Sequence, residues 1–177
     1  MGKQIKIDYF KSPFGELILG EYEGQLCLCD WRYRKMRSQI DLRIKYQLQA
    51  EYKEKRMAVI EEAKKQLLEY FQGQRTQFEL PLLLVGTDFQ KRVWEALLQI
   101  PYGETKSYLS LSRDMGNEKA IRAVAAANGA NAISIIIPCH RIIGGDGSLV
   151  GYAGGLAIKK KLLELEGSMD TSQLSMF

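Results

Sequence analysis

A run of three β-branched residues, Ile135–Ile137, ends at Pro138 and is followed at once by Cys139, His140 and Arg141. Such a run predicts a buried strand, and proline ends a strand because it lacks a backbone donor. Two of the residues after the strand could take part in catalysis, since a cysteine thiolate is a strong nucleophile and histidine accepts protons near neutral pH. The pair alone is weak evidence, because most buried cysteines are small apolar packing residues.

The composition excludes several classes of protein. The chain has 177 residues, of which 46% are hydrophobic and 26% charged, as in a globular protein of one large domain or two small ones. No apolar run approaches the roughly 20 residues that span a bilayer, and no apolar signal region follows Met1–Lys3. We therefore expect a cytoplasmic protein with no membrane partner.

The cysteines argue against both a disulfide framework and a metal centre. There are three cysteines, which is an odd number, and the expected compartment is reducing, so a disulfide framework is not expected. Cys27 and Cys29 fall on the same face of one predicted strand. A tetrahedral zinc site needs further ligands, and His140 is the only histidine of the chain. We expect no metal and no cofactor. The net charge of +4 permits nucleic-acid binding without demonstrating it.

The first half of the chain predicts a small antiparallel sheet. Alternation over Ile5–Tyr9 and the apolar runs Leu17–Leu19 and Leu26–Cys29 predict three strands of a meander. The stretch Arg32–Arg56 holds nine Lys or Arg and three Asp or Glu, and we interpret it as a solvated face.

One helix completes this half. Helical periodicity covers Arg56–Gln72, and Gly73 can end the helix. Residues 74–86, which include Pro81, are typical of a linker. Residues 1–80 are therefore predicted to form an N-terminal scaffold domain, without a catalytic constellation of its own.

The second half predicts mostly helices. Thr87 and Gln90 fit a capping box at the start of an apolar helical face that ends at Pro101. Ser107 can cap a short helix that runs to Met115.

A second short helix follows from Glu118 to about Asn128, with Asn117 as its cap, so the pair suggests a helix-turn-helix. The fold class is therefore α+β: an N-terminal small antiparallel sheet with a helix, then a mostly helical DNA-binding domain at residues 87–167.

The second helix of this pair is rich in alanine, and Arg122 projects from it beside Ala123. Small residues let a helix approach another surface closely, and a DNA groove is one such surface. Tight packing inside the protein is the commoner reason for such a helix. The preceding turn, the long cation of Arg122 and the backbone N–H groups after Asn117, where a phosphate could bind, favour DNA.

A carboxylate near the end of the chain is the expected partner of His140. Glu166 lies at the C-terminal end of the last predicted helix, Leu156–Glu166, where the helix dipole disfavours an anion. Neighbours in an extended segment point to opposite faces, so a bridging water would link Cys139 to His140. A nucleophile, a base and a group that orients the base also define a cysteine hydrolase, which remains an alternative here.

Several motifs together closely resemble those of the methylated-DNA–protein-cysteine methyltransferases. They are Pro138–Ile142, the upstream Asn131, the loop Gly151–Gly155 and the terminal Leu165–Gly167. The resemblance implies repair of double-stranded DNA that contains O6-alkylguanine, with irreversible transfer of the alkyl group to Cys139. It extends to O4-alkylthymine as a further substrate. It also implies a protein that acts once, as a monomer.

The resemblance also implies roles for individual residues. His140 removes the thiol proton through water, Glu166 orients His140, and Asn131 braces the active-site turn. The target nucleotide contacts Tyr108, and flipping of that nucleotide is required because a stacked base is out of reach of a buried thiol. The remaining implied residues are Tyr152, Ala153, Gly154 and Ile142 around the substrate, and Arg122, Asn117 and Ala123 on the DNA.

Two positions depart from the pattern of this family. Ala132 follows Asn131 where proline is frequent, and Ala125 occupies a place often held by glycine. Both changes conserve size. The zinc site of some relatives cannot be carried over, because His140 is the only histidine. The other alternative, a non-catalytic helix-turn-helix protein that binds DNA or senses alkylation, is disfavoured by Cys139.

The last residues form a further motif. Residues 168–177 are predicted to be a flexible tail, and they end in Gln173, Leu174, Ser175, Met176 and Phe177. This pentapeptide resembles the one by which bacterial repair and replication proteins bind the sliding clamp. A frayed terminus with incidental apolar residues is the competing interpretation.

Overall fold

The computed structural model describes residues 2–168, which form two compact units divided between Gly86 and Thr87. The predicted tail, residues 168–177, lies outside the described residues except for Ser168. No helix in residues 2–168 is long and apolar enough to cross a membrane. The boundary places residues 74–86, the predicted linker, in the first unit.

The first unit is a four-stranded sheet with two helices. The strands are β1 (Lys3–Ser12), β2 (Gly15–Tyr22), β3 (Gln25–Trp31) and β4 (Ala50–Glu54), and the helices are α1 (Arg37–Leu48) and α2 (Ala58–Phe71). The strand order is β3-β2-β1-β4, antiparallel except for the parallel pair of β1 and β4. The predicted meander and the α+β class are confirmed.

The turns and faces of this sheet follow from the sequence. Glu23 and Gly24 both have positive φ, as a two-residue turn between antiparallel strands requires. Burial of Ile60, Ala63 and Leu67 gives α2 one apolar face. The linker segment also pairs with the sheet, because Leu26 donates to the carbonyl of Pro81 at 2.8 Å.

The polar stretch Arg32–Arg56 is not merely a solvated face, since it contains both α1 and β4. Helix α1 buries only Ile40 and Ile44, so its apolar periodicity is weak. Ion pairs position it instead: buried Asp30 accepts from Arg34 at 3.0 Å and from Arg37 at 2.9 Å.

The second unit is mostly helical. Its elements are α3 (Asp88–Leu98), β5 (Lys106–Ser107), α4 (Tyr108–Asp114), a 3-10 turn (Glu118–Ala120), α5 (Ile121–Gly129), a second 3-10 turn (Cys139–Arg141), β6 (Ile142–Ile143) and α6 (Leu156–Leu165). The capping box of Thr87 and Gln90 is present in full. Trp94 fastens α3 to α5, because its indole Nε1 donates to the carbonyl of Ala127 at 2.8 Å.

Two features of this unit position the site. The short strands β5 and β6 pair in parallel, Lys106 with Ile142 and Ser107 with Ile143. The start of α4 therefore lies beside the end of the Cys139–Arg141 turn. Helices α4 and α5, joined through Gly116, contact each other as the predicted helix pair does.

The predicted strand at Ile135–Ile137 is wrong. These residues form a tight turn in which Ile136 donates to the carbonyl of Ser134 at 2.8 Å and Ile137 to that of Ile133 at 3.0 Å. Ile135 has a φ of +72°, which strand geometry excludes. The β-branched composition indicated burial correctly, since residues 131–140 are all buried, but not the backbone conformation.

Candidate active site

Cys139 opens the 3-10 turn that carries all three residues of the Cys-His-Arg sequence. Pro138 precedes it with φ −82° and ψ 62°, and the Cys139 N–H donates to the carbonyl of Ile137 at 2.8 Å. The chain therefore bends at Pro138, so Cys139 and His140 do not lie in the extended segment that would place them on opposite faces. Cys139 is only 4% exposed, so any reaction partner must enter the protein to reach it.

His140 and Glu166 form the pair that the sequence predicted. His140 Nε2 lies 2.7 Å from Glu166 Oε1, and both side chains are fully buried. A carboxylate only accepts hydrogen bonds, so Nε2 carries the proton and Nδ1 has the lone pair. Nδ1 is buried and has no hydrogen-bond partner within residues 2–168.

Arg141 is the third member of this cluster, and sequence reasoning assigned it no role. Its Nε donates to Glu166 Oε2 and its Nη2 to Glu166 Oε1, both at 2.9 Å. Its Nη1 donates to the carbonyl of Ile100 at 2.6 Å. Both carboxylate oxygens of Glu166 are thus held by charge-assisted bonds.

The electrostatics of the cluster keep Glu166 ionised and His140 neutral. Burial by itself raises the pKa of Glu166, but the hydrogen bonds and charges of His140 and Arg141 outweigh it and lower the pKa to about 2. For His140 burial is the largest influence and lowers the pKa; Glu166 opposes it, while Arg141 and Lys159 add to it. A buried neutral imidazole next to a cysteine can accept the thiol proton.

Asn131 holds the turn that leads to Cys139. Its Nδ2 donates to the carbonyl of Ile137 at 2.9 Å and to that of Ile133 at 3.4 Å, and its Oδ1 accepts from Ile133 N–H at 2.9 Å. The carbonyl of Ile137 thus accepts from both Asn131 and Cys139. Asn131 ties the start of the turn to the residue that positions the nucleophile.

Ile135 lies at the centre of this turn with a positive φ, which is rare for a β-branched residue. We expect Ile135→Gly to be more stable than Ile135→Ala by about 1 kcal/mol in chemical unfolding, the reverse of the ordinary order. Both variants lose every side-chain atom beyond Cβ, so they differ only by the Cβ methyl and by the backbone freedom of glycine.

Ile136 supplies the control for this prediction, since it is also buried but has no positive φ. There the alanine variant should be the more stable of the pair. An alanine variant at 135 that matches or exceeds the glycine variant would contradict the strained turn.

Tyr108 and Lys159 lie close enough to Cys139 to interact with it electrostatically. Burial, followed by the neighbouring Cys139, raises the pKa of Tyr108, whose hydroxyl accepts from Asn128 Nδ2 at 3.5 Å. Lys159 is fully buried, and burial lowers its pKa to about 8 although Cys139 opposes the change.

Lys159 was missed by sequence reasoning because it stands in a run of three lysines, Lys159–Lys161. Its Nζ donates to the carbonyls of Ile142 at 2.5 Å and Val150 at 2.6 Å, with a longer contact to Gly151 at 3.4 Å. One ammonium therefore fastens strand β6 to the loop before α6. Only its apolar spacing within the helix, three residues before Leu162, could have indicated burial.

The remaining predicted substrate residues lie around the same turn. The Tyr152 ring packs edge-on to the His140 imidazole, with 6.4 Å between centroids. Ala153 and Gly154 are half-buried in the loop that leads to Gly155. Ile142 is fully buried in β6, where its carbonyl binds Lys159, so its position is that of a core residue.

The residues predicted to bind DNA are exposed. Arg122 and Ala123 lie on the exposed face of α5, together with Ala126. Asn117 is exposed and caps the 3-10 turn before α5, with its Oδ1 accepting from Lys119 N–H at 3.1 Å. Helix α5 therefore starts at Ile121, three residues later than predicted.

Within residues 2–168 no group of three or more His, Cys, Asp and Glu side chains could hold a metal ion. The groups that the site brings together are a buried thiol, a neutral imidazole and an ionised carboxylate. These groups share a unit with the contacting helix pair α4 and α5, the arrangement expected of a DNA-binding protein in which a cysteine reacts.

Both units match family models. Residues 88–168 match the model described as 6-O-methylguanine DNA methyltransferase, DNA binding domain. Residues 5–84 match the model described as 6-O-methylguanine DNA methyltransferase, ribonuclease-like domain.

Individual relatives agree with these matches. The methylated-DNA–protein-cysteine methyltransferase of Methanosarcina acetivorans is 44% identical over 160 residues, or 90% of this chain and 96% of the relative. The constitutive one of Bacillus subtilis is 43% identical over 157 residues, or 88% and 92%. A crystal structure described as Mycobacterium tuberculosis OGT in complex with DNA has a TM-score of 0.77 at 39% identity and covers 98% of this chain and 99% of that one. The chain belongs to the methylated-DNA–protein-cysteine methyltransferase family.

Proposed function

We propose that the protein repairs DNA by transferring the alkyl group from O6 of guanine irreversibly to Cys139. The observation that carries this proposal is the cluster in which buried Cys139 is followed by His140, with His140 held by Glu166 at 2.7 Å. Family membership supplies the substrate class, and the cluster supplies the nucleophile and its base.

The transfer is a substitution at the alkyl carbon. The Cys139 thiol passes its proton to His140 Nδ1 through a bridging water, and the sulfur attacks the carbon bound to O6. A sulfur–carbon bond forms as the carbon–oxygen bond breaks. Guanine leaves as a neutral base when the Tyr108 hydroxyl donates a proton to it, and the proton held by His140 then returns through solvent to the Tyr108 phenolate. The thioether is stable to this site, so each molecule reacts once.

DNA recognition follows from the exposed face of α5. Ala123 and Ala126 let this face approach a groove closely, and Arg122 carries the positive charge. The target nucleotide flips out of the stack, because Cys139 is too deeply buried to reach a stacked base. Arg122 occupies the gap that this nucleotide leaves, and Tyr152, Ala153 and Gly154 surround the base, while Ile142, fully buried in β6, supports the turn that carries Cys139. The same geometry accepts O4 of alkylated thymine.

The test follows a labelled methyl group. Duplex DNA that carries O6-methylguanine with a labelled methyl is mixed in molar excess with the protein, and the label is located by peptide mass analysis. One methyl per protein on Cys139 is the expected result. Multiple turnovers would indicate a cysteine hydrolase, and binding without transfer would indicate a DNA-binding or alkyl-sensing protein.

Arg122→Ala is expected to slow transfer from duplex DNA by about tenfold and to leave transfer from single-stranded DNA almost unchanged. A single strand has no stack for the arginine to fill. Single-turnover rates on the two substrates measure the difference. Arg113→Ala is the matched control, because it removes another exposed arginine, one paired with Glu118. Equal slowing on both substrates would assign Arg122 to phosphate binding.

The C-terminal pentapeptide lies outside the described residues, and we propose from its sequence that it binds a bacterial sliding clamp. Its apolar members, Leu174, Met176 and Phe177, suit insertion into an apolar groove. Deletion of residues 173–177 should abolish binding to purified clamp in a pull-down and leave methyl transfer intact. Ser175→Ala should retain binding. A truncated protein that binds the clamp as well as the intact protein would end this proposal.

Two further parts of the proposal concern the state of the protein. We place it in the cytoplasm, because a reducing compartment keeps a nucleophilic thiol reduced, and none of the three cysteines is in a disulfide. We also propose that it acts as a monomer, which sedimentation equilibrium can test.

A further inference from the structure

Arg141 contacts both oxygens of the Glu166 carboxylate, whereas His140 contacts only one of them. Its guanidinium forms a two-pronged pair with Oε1 and Oε2, both at 2.9 Å, and a third bond to the carbonyl of Ile100. The Arg141 side chain is 8% exposed and that of Glu166 is fully buried. An Arg141–Glu166 pair that is almost inaccessible to solvent and has two parallel hydrogen bonds has little freedom to rearrange.

The Glu166 carboxylate that orients His140 would also, by its negative charge, favour protonation of His140 and so prevent it from acting as a base. His140 Nε2 binds Glu166 Oε1 at 2.7 Å, the same oxygen that accepts from Arg141 Nη2. A buried carboxylate with no other partner would favour the imidazolium form of a histidine at this distance. An imidazolium cannot accept the thiol proton, so a base at this position must be oriented by Glu166 and still remain neutral.

We propose that Arg141 is a positioning residue that neutralises the Glu166 carboxylate, so that Glu166 orients His140 without favouring its imidazolium form. The proposal rests on the role of His140 as the base for alkyl transfer. Arg141 acts on His140 through Glu166, whose two carboxylate oxygens its guanidinium contacts.

The charged and titratable groups around His140 agree with this assignment. Helix α6 contributes Glu166 at its end and the ammonium of Lys159, while Arg141 and Cys139 belong to the same turn as His140. The loop before α6 contributes the phenol of Tyr152. One anion is therefore opposed by two cations, and burial together with both cations lowers the pKa of His140 against the effect of Glu166.

Tyr108 and Tyr102 are two further titratable groups near this cluster. Tyr108 lies near Cys139. The Arg141 guanidinium carbon lies over the Tyr102 ring, 5.8 Å from the ring centroid. Burial raises the pKa of both phenols, so both are neutral wherever His140 titrates. Glu166, Arg141 and Lys159 are therefore the charges that set the protonation of His140.

The experiment uses the fact that His140 is the only histidine of the chain. The imidazole signal in an NMR titration of the full-length protein without an affinity tag reports this residue with no assignment needed. Arg141→Gln and Arg141→Lys form a matched pair, because both lose the two-pronged geometry and only the lysine keeps the charge. The amide spectrum of each sample shows whether the variant is folded.

The wild-type imidazole should titrate below its ordinary value near 6.5. In Arg141→Gln its protonation constant should rise at least about tenfold, which is one pH unit, whereas Arg141→Lys should titrate close to the wild type. The acid limb of the rate of methyl transfer at saturating DNA should move to higher pH in Arg141→Gln by the same amount. A purely structural role would lower the rate at every pH and leave the limb in place.

Each outcome decides the matter. A wild-type imidazole that titrates at or above 6.5 overturns the proposal, even if Arg141→Gln fails to fold. So does a folded Arg141→Gln protein whose imidazole titrates with the wild type. The titration contains no DNA, so an absence of methyl transfer in the wild-type protein would instead contradict the proposed function and leave the titration result standing.

Discussion

Cys139→Ser is expected to lose methyl transfer completely and to bind O6-methylguanine duplex DNA as tightly as the unaltered protein. A serine hydroxyl is far less acidic than a thiol, so His140 cannot generate an oxygen nucleophile of comparable strength. The exposed face of α5 and the fold around the turn are unchanged by exchanging one buried atom. Single-turnover assays with labelled DNA measure transfer, and fluorescence anisotropy measures binding.

Cys27→Ala is the control for this prediction, because it removes a different buried thiol. Burial, followed by the charge of Glu21, raises the pKa of Cys27 to about 12, and burial also raises that of Cys29. Neither thiol ionises near neutral pH, so Cys27→Ala should transfer one methyl per molecule as before. Label retained by the Cys139→Ser protein would show that the acceptor lies elsewhere.

Glu166→Gln is expected to lower the free energy of unfolding at pH 7 by about 3 kcal/mol, a fall of about 9 °C in Tm. Glutamine leaves the buried charge of Arg141 without its counter-ion. The folded pKa of Glu166 is about 2, below the ordinary value of 4.5. Its contribution to stability is therefore fully present above pH 4.5 and is lost as the pH falls from 4.5 towards 2.

Because the stabilisation by Glu166 is lost at low pH, the difference in stability between the wild type and Glu166→Gln should depend on pH. Urea unfolding at a series of pH values should show a large gap between the two proteins at pH 7 and a small one near pH 2. Glu164→Gln, an exposed change on the same helix, should show no gap at any pH. A Glu166→Gln protein as stable as the wild type at pH 7 would mean that the Arg141–Glu166 pair contributes no stability.

Local patterns account for the parts of the fold that the sequence predicted. The Thr87–Gln90 capping box, the Glu23–Gly24 turn and the apolar face of α2 depend on residues within a few positions of one another. The pairing of His140 with Glu166 was predictable for a different reason, because an anion at a helix C-terminus needs a partner and the chain has one histidine.

The failures have a common physical origin, which is that specific polar contacts of side chains override local propensity. Ile135–Ile137 has the composition of a strand, but the Asn131 side chain and the burial of the segment hold it in a turn. Helix α1 is positioned by arginines on Asp30 rather than by an apolar face. Lys159 and Arg141 are buried because their partners come from distant segments, and neither burial is visible in residue type.

The two-residue pairing of β5 with β6 limits how the length of this chain can change. Ser107 and Ile143 are paired, so the three residues from Cys139 to Arg141 must both complete the reactive turn and deliver Ile142 to its partner Lys106. One residue more or fewer there would break either the pairing or the turn. The exposed turn around Gly145 and Asp146, just beyond β6, neither forms the reactive turn nor sets the pairing of β5 with β6. Insertions should therefore be tolerated after Gly145 and rejected between Cys139 and Ile142.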